Sequence, residues 1–346
     1  MVKDRDRSPL PDHSQPPDRS PPRSPAATIV SVAILGFHRH PKPTSRDLVA
    51  LAERVIDRIA ACGWHHSDAI LLPGGFLRLP DPVGHLSEPD RAMALLRRSV
   101  VRSLGELSLH LGSSCVLAVG IDLKPISKRI GGDQLVAAWR DGELISLVRK
   151  TFPANGDTDG SVPVYPVYEA DFDSAARMIT LASGRRAILL GCYDAFGLRG
   201  IVHRRFADLT AIRVVRNPTG DFERPTMEYR QSLLARWQRL LTVQPPDVAL
   251  VAIHNFVRPG ADGYWQRHGI AGASAALGGA PVIGASHFNL ALPVNPHHSV
   301  LAARDVPQSH LNQGTWRLPH RWQPTASDVL TKTDGTPIAL IRRFDI

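Results

Sequence analysis

Ile29-Val30-Ser31-Val32-Ala33-Ile34-Leu35-Gly36-Phe37 holds a single polar side chain among its nine residues, and its reading decides the class of fold. A short, β-branched, apolar run that ends at a glycine predicts a buried strand. Just beyond it, Thr44 or Ser45 can cap a helix. The apolar face of that helix is Leu48, Leu51, Val55, Ile56 and Ile59, and Gly63 closes it. Asp68–Pro73 (DAILLP) is a second buried run, and residues 89–104, rich in Leu, Ala and Arg, predict a second helix. Strand, helix, strand and helix at this spacing predict a layered α/β domain.

Further along, the rhythm changes to strands and tight turns. Ser114–Ile121 reads as a buried strand. Gln134–Trp139 and Leu144–Arg149 flank Asp141-Gly142, a strong hairpin turn signal. Met178–Leu181 and Arg186–Leu190 flank Ser183-Gly184 in the same way. A helix over about 225–242, a strand at Asp247–Ile253, a small-residue helix over about 265–279 and a strand at Pro281–Ser286 follow, with a last hairpin turning at Asp334-Gly335. Residues 1–27 are of another composition, with seven prolines in the first 26 interleaved with Ser, Asp and Arg. A segment with so little to bury is expected to be a disordered tail, leaving residues 28–346 as the folded domain.

Composition narrows the function. The chain has 346 residues, 43% of them hydrophobic, enough for a sizeable core. No apolar run approaches the roughly 18 residues that span a bilayer, and the N-terminus has no apolar signal stretch, so a cytoplasmic protein without a membrane partner is expected. The net charge of +9 comes from scattered Lys and Arg, with no recognition-helix, zinc-finger or RNA-binding signature. A small-molecule substrate is therefore expected, not a nucleic acid. The three cysteines, Cys62, Cys115 and Cys192, form neither a disulfide framework nor a zinc spacing, and no cofactor or metal is expected.

Of the three, Cys192 is singled out by its context. It lies in Gly191-Cys192-Tyr193-Asp194-Ala195-Phe196-Gly197, directly after the strand that ends Ala187-Ile188-Leu189-Leu190. Reactive groups collect at the carboxyl ends of strands in open α/β sheets. The segment resembles the cysteine motif of the carbon–nitrogen hydrolase (nitrilase-like) superfamily. Two other segments extend the likeness in the family's order. Asp141-Gly142-Glu143-Leu144-Ile145 leads to Arg149-Lys150 and Phe152-Pro153, resembling the family's lysine motif. Ser183-Gly184-Arg185 resembles the turn before its cysteine strand. Asp247–Phe256 and Gly269–Asn289 resemble its later strand, helix and strand.

The resemblance implies a four-layer αββα sandwich of the nitrilase type and a Glu–Lys–Cys triad. Cys192 would attack an amide or nitrile carbon, giving a thioester or thioimidate that water then hydrolyses. Lys150 would neutralise the developing oxyanion, and Glu169, in Val167-Tyr168-Glu169, would organise the site. The family often assembles further, so a homo-oligomer is also implied. One position departs from the pattern. Where the family keeps its proton-relaying glutamate, this chain reads Leu72-Pro73-Gly74-Gly75-Phe76, with Gly74 in the glutamate's place. Asp81, His85 and Glu88 lie in the loop beyond and are candidates to replace it. His254, His287, His297 and His298 come near strand ends, in a spacing that makes no metal site. Two functions stay open: a thiol-dependent hydrolase of non-peptide C–N bonds, and a nitrilase-like protein that has lost hydrolysis and binds or regulates.

Overall fold

The computed structural model describes residues 26–36, 43–80, 94–154, 164–201, 209–256, 259–289, 296–312 and 320–346. The expected tail, apart from Ala26 and Ala27, lies outside them, as do Asp81, His85 and Glu88.

Alternation along the first strand sets out the layers. In β1 (Thr28–Leu35), Val30, Val32 and Ile34 turn one way and pack with Leu48, Val55, Ile56 and Ile59 of α1 (Ser45–Ala61). Ile29 turns the other way, into a core built from two sheets. Thr44 caps α1 with a complete capping box, its side chain and that of Asp47 satisfying each other's backbone N–H.

The larger sheet joins β1 to β2 (Ala69–Leu71), β4 (Val116–Leu123), β5 (Gln134–Arg140) and β6 (Glu143–Arg149) on one side. On its other side stand β17 (Pro337–Asp345) and β16 (Ala326–Thr331), while β3 (Leu77–Leu79) pairs with β4 and β14 (His287–Phe288) with β1. The second sheet runs in the order β15 (Ala302–Ala303), β13 (Val282–Ala285), β12 (Val248–Ala252), β9 (Arg186–Gly191) and β8 (Met178–Thr180). A small third sheet comprises β11 (Phe222–Glu223), β10 (Val214–Arg216) and β7 (Pro166–Tyr168).

Between the two main sheets lies one shared core. Val116, Ala118, Val136, Ala138 and Val148 from the larger sheet meet Ala187, Leu189, Val248, Leu250 and Ile283 from the second. Helices cover the outer faces. On the first sheet these are α1 and α2 (Ser99–Ser108), and on the second α3 (Met227–Val243) and α4 (Ala271–Ala276). This is the expected α/β architecture with four αββα layers.

Several boundaries differ from expectation. The second helix, expected at 89–104, is seen as Ser99–Ser108, where Val101, Leu104 and Leu107 reach the core; residues 89–93 lie outside the described part. Helix-forming residues run through the whole stretch, so burial and not propensity marks the seated turns. The small-residue helix begins earlier, at Ala261, and passes through a π-helical turn at Trp265–Ile270 before Ala271.

Glycine lets the chain cross between the sheets at one point. A Cβ on Gly120 of β4 would stand 2.3 Å from the Pro73 carbonyl and 2.4 Å from the Gly74 Cα. Both obstacles are backbone, which cannot swing aside. Gly120→Ala should therefore destabilise the protein by roughly 1–3 kcal/mol, the usual range for an overpacked core, read as a lowered urea midpoint.

Candidate active site

The strand period of two carries polar side chains to the inner face at one end of the larger sheet. Val116 and Ala118 face the second sheet, so Asp122 of β4 shares their side; Val136 and Ala138 place Gln134 likewise, and Val148 places Lys150. The register aligns them. Asp122 pairs with Gln134, and the Lys150 N–H donates to the Gln134 carbonyl at 2.7 Å. The Lys150 ammonium is buried, donating to Gln134 Oε1 at 2.6 Å and lying 4.8 Å from the Tyr165 ring centroid. The preceding Arg149 points the other way, into a buried ion pair with Asp133 at 2.9 Å and Asp171 at 2.7 Å. Adjacent cations thus serve opposite faces of one strand.

The second sheet supplies the facing row. Gly191 of β9 and Ala252 of β12 are level in a parallel pair, and the Cys192 N–H continues the ladder to the Ala252 carbonyl at 2.8 Å. Cys192 itself adopts φ +42°, a left-handed conformation rare for a residue with a side chain. Such strain costs on the order of 1–3 kcal/mol and gathers at functional sites. The sharp turn holds the residue at the strand end, as nucleophile elbows do. A Cβ on Gly191 would lie 2.9 Å from Lys150 Cβ, so the main chain just before Cys192 packs directly against Lys150.

Two residues beyond Ala252 comes His254. Its Nε2 meets Asp122 Oδ1 at 2.8 Å, across the space between the sheets, with the side chains 21% and 23% exposed. Because an ionised carboxylate only accepts, Nε2 is the donor. Nδ1 is buried and meets no well-aligned partner among the described residues, while the Cys192 sulfur lies close enough to act on the ring. Burial works against a protonated imidazole here. The charge of Asp122, its hydrogen bond and the Cys192 thiol outweigh that and lift His254 from 6.5 to about 10.

Asp194 fastens the two rows together. Fully buried in the turn after Cys192, it accepts from the N–H groups of Thr151 at 2.7 Å, Phe152 at 2.9 Å and Gly191 at 3.1 Å. It also pairs with buried Arg177 at 3.1 Å. Burial pushes the Asp194 carboxyl up, opposed by Arg177 and the three N–H donors. Arg177 in turn donates to the Arg149 carbonyl and to Thr151 Oγ1.

The remaining candidates lie elsewhere. Glu169 is paired with Arg236 and accepts from the Tyr229 hydroxyl, both on α3, with Asp173 on the same arginine at 2.8 Å. These contacts tie its carboxylate to the helix. His287 is buried with its ring stacked on Phe76, and His297 and His298 are exposed. Burial, with Asp68, pushes the Cys115 thiol up to about 12, and burial, with Asp328, also raises Cys62. Neither is placed as a nucleophile. Among the described residues, no group of three or more His, Cys, Asp or Glu is placed to hold a metal, and no helix is long and apolar enough to cross a membrane.

Sequence motifs single out Cys192 and Lys150 but not Asp122 or its partnership with His254. A signal was present. The inner-face alternation Val116, Ala118, Gly120, Asp122 ends on a carboxylate at the edge of a core, where an unpartnered charge is costly.

No family model and no curated protein matches the chain in sequence. Solved structures do resemble it. A mutant of the Nesterenkonia amidase from the nitrilase superfamily aligns at 12% identity over 94% of this chain and 92% of that one, with a TM-score of 0.45. A CN-hydrolase superfamily protein from Xanthomonas campestris, with an arsenic adduct in its active site, aligns at 13% identity over 76% of each chain, TM-score 0.42. These neighbours are members of the nitrilase, or CN-hydrolase, superfamily. A glutamine-dependent NAD(+) synthetase from Cytophaga hutchinsonii aligns at 10% identity over 76% of this chain and 36% of that one, TM-score 0.40. Likenesses this distant carry no weight for individual residues or chemistry.

Two outcomes follow from the geometry. Asp194→Ala strands a buried arginine and three N–H groups, and should cost about 3–5 kcal/mol of stability, read by chemical denaturation. Folded, His254 keeps its proton to about pH 10; unfolded, it releases it near 6.5. The stabilisation from the Asp122 pair is therefore complete below about pH 6.5 and is lost as pH rises through about 10. Urea midpoints should fall across that window, and fall less steeply in Asp122→Asn.

Proposed function

We propose that the protein hydrolyses a non-peptide C–N bond in an amide, nitrile or carbamoyl compound, with Cys192 as nucleophile. The observation that carries this reading is Cys192 itself. It is the cysteine held at positive φ at the carboxyl end of a buried strand, its approach packed against Lys150. The ordered motifs around Cys192 and Lys150 supply the reaction class.

In this reading the Cys192 sulfur adds to the substrate carbon. An amide loses its amine as the C–N bond breaks, leaving a thioester; a nitrile takes the thiol across its triple bond to give a thioimidate, which water converts to the thioester with loss of ammonia. Water then attacks that carbon and releases the sulfur. The buried Lys150 ammonium, fixed by Gln134, stabilises the negative oxygen or nitrogen of the tetrahedral state without reorganising. Glu169 acts at a distance, anchoring the chain after β7 to α3 through Arg236 and Tyr229.

One observation favours a second reading, a binding or regulatory subunit without turnover. Gly74 stands where the resemblance reserves a glutamate, and a glycine moves no proton. Hydrolysis of a panel of short amides, nitriles and N-carbamoyl amino acids separates the two. Cys192→Ala should abolish turnover, and Lys150→Met should lower kcat by roughly 10²–10³-fold. A covalent acyl adduct should appear on Cys192 in intact-mass spectra of rapidly quenched reactions. Turnover that survives Cys192→Ala would remove the first reading, and no turnover of any member of the panel would leave the second.

A further inference from the structure

Three glycines make the Gly74 region what it is. Gly120 lets the Pro73-Gly74 backbone lie against β4. Gly75, at φ +62°, has Asp122 Oδ2 2.5 Å from where its Cβ would be. At Gly74 a Cβ would stand 2.6 Å from the Ala252 carbonyl and 2.9 Å from His254 Nδ1. The Gly74 N–H also donates to the Ile253 carbonyl at 3.0 Å, fixing the segment against the strand end that carries His254. A longer side chain at 74 and the imidazole of 254 thus compete for one volume. The ring that fills it has Nε2 on the Asp122 carboxylate and Nδ1 buried without a well-aligned hydrogen bond.

We infer that His254, oriented by Asp122, is the general acid–base partner of Cys192 and takes the space that a glutamate at position 74 would need. Serine and cysteine hydrolases on unrelated folds use the same order of contacts, nucleophile to imidazole to carboxylate. The titratable groups acting on the ring are Asp122, from β4, and Cys192, after β9. Asp122 is a positioning residue. It fixes the tautomer and favours the imidazolium that forms when the sulfur gives up its proton.

The inference rests on the reading of Cys192 as nucleophile, and its steps balance for an amide. The proton that Sγ and His254 Nδ1 share lies on the imidazole as the sulfur bonds to the carbonyl carbon. That proton then goes to the leaving nitrogen as the C–N bond breaks, giving amine and thioester. His254 next takes a proton from water as the water oxygen bonds to the thioester carbon. The C–S bond breaks, the acid departs, and the proton is again shared by Sγ and Nδ1. The net reaction is amide plus water to acid plus amine, with no other reactant.

Iodoacetamide labelling of the full chain, resolved by mass spectrometry, tests this without a known substrate. Cys62 serves as the internal standard. At pH 7 an unassisted cysteine is only a few per cent thiolate. Cys192 should label at least about tenfold faster in the wild type than in His254→Gln or His254→Ala. Asp122→Asn should fall between, with a steeper rise of its rate with pH, which a merely structural loss would not produce. Equal Cys192 rates in the wild type and both His254 variants, with unchanged circular dichroism, overturn the assignment.

Should the variants fail to fold, histidine carbon-13 NMR of the wild type decides. Alkylating Cys192 should move the His254 titration midpoint downward, and an unmoved midpoint overturns the assignment. The two readings fail separately. His254-dependent labelling without hydrolysis of any C–N substrate keeps the dyad and removes the proposed activity, whereas Cys192-dependent hydrolysis with His254-independent labelling does the reverse.

Discussion

The buried carboxylate of Asp194 is the contact on which the rest of the site depends. It draws N–H groups from Thr151 and Phe152, after one strand, and from Gly191, at the end of another in the opposing sheet. A charge without water must be neutralised and fully hydrogen-bonded. Here both needs are met only if two strand ends and Arg177 converge on one point. The arrangement of Lys150 beside the approach to Cys192 is therefore held by electrostatics inside the protein. Packing alone would tolerate a small slip between two sheets of Val, Ala and Leu.

Around that fastening, the sandwich sorts side chains by parity. Four of the strands each deliver one polar group inward at this end: Asp122 from β4, Gln134 from β5, Lys150 just after β6, and His254 just beyond β12. The neighbouring positions turn outward under the helices. This explains how a core of aliphatic residues can end in a cluster of polar groups. It also explains why Arg149 and Lys150, adjacent in sequence, have unrelated duties.

Much of this is legible in the amino-acid sequence. The turn at Asp141-Gly142 forms as expected, with both residues at positive φ, and β1, β9, β12 and β13 fall within a residue or two of their apolar runs. Local chemistry specifies such features: a glycine that accepts positive φ, a β-branched run that wants burial. The Asp122–His254 pair was beyond reach because its members are 132 residues apart and lie in different sheets. Parity indicates which face each occupies, but only sheet-to-sheet packing brings them level. Glu169 shows the converse. Its surroundings in sequence resemble those of a site residue, yet Arg236, contributed by a distant helix, pairs with its carboxylate.

The crowding at Gly74 has a consequence for how such a chain can change over generations. A Cβ at 74 meets the imidazole of 254 and, closer still, the Ala252 carbonyl, so placing a larger residue there needs a second substitution and a shift of backbone as well. Either substitution made first gives an intermediate with both groups colliding or with neither present. Geometry at this one position therefore resists exchange of the two arrangements one substitution at a time, whatever the substrate.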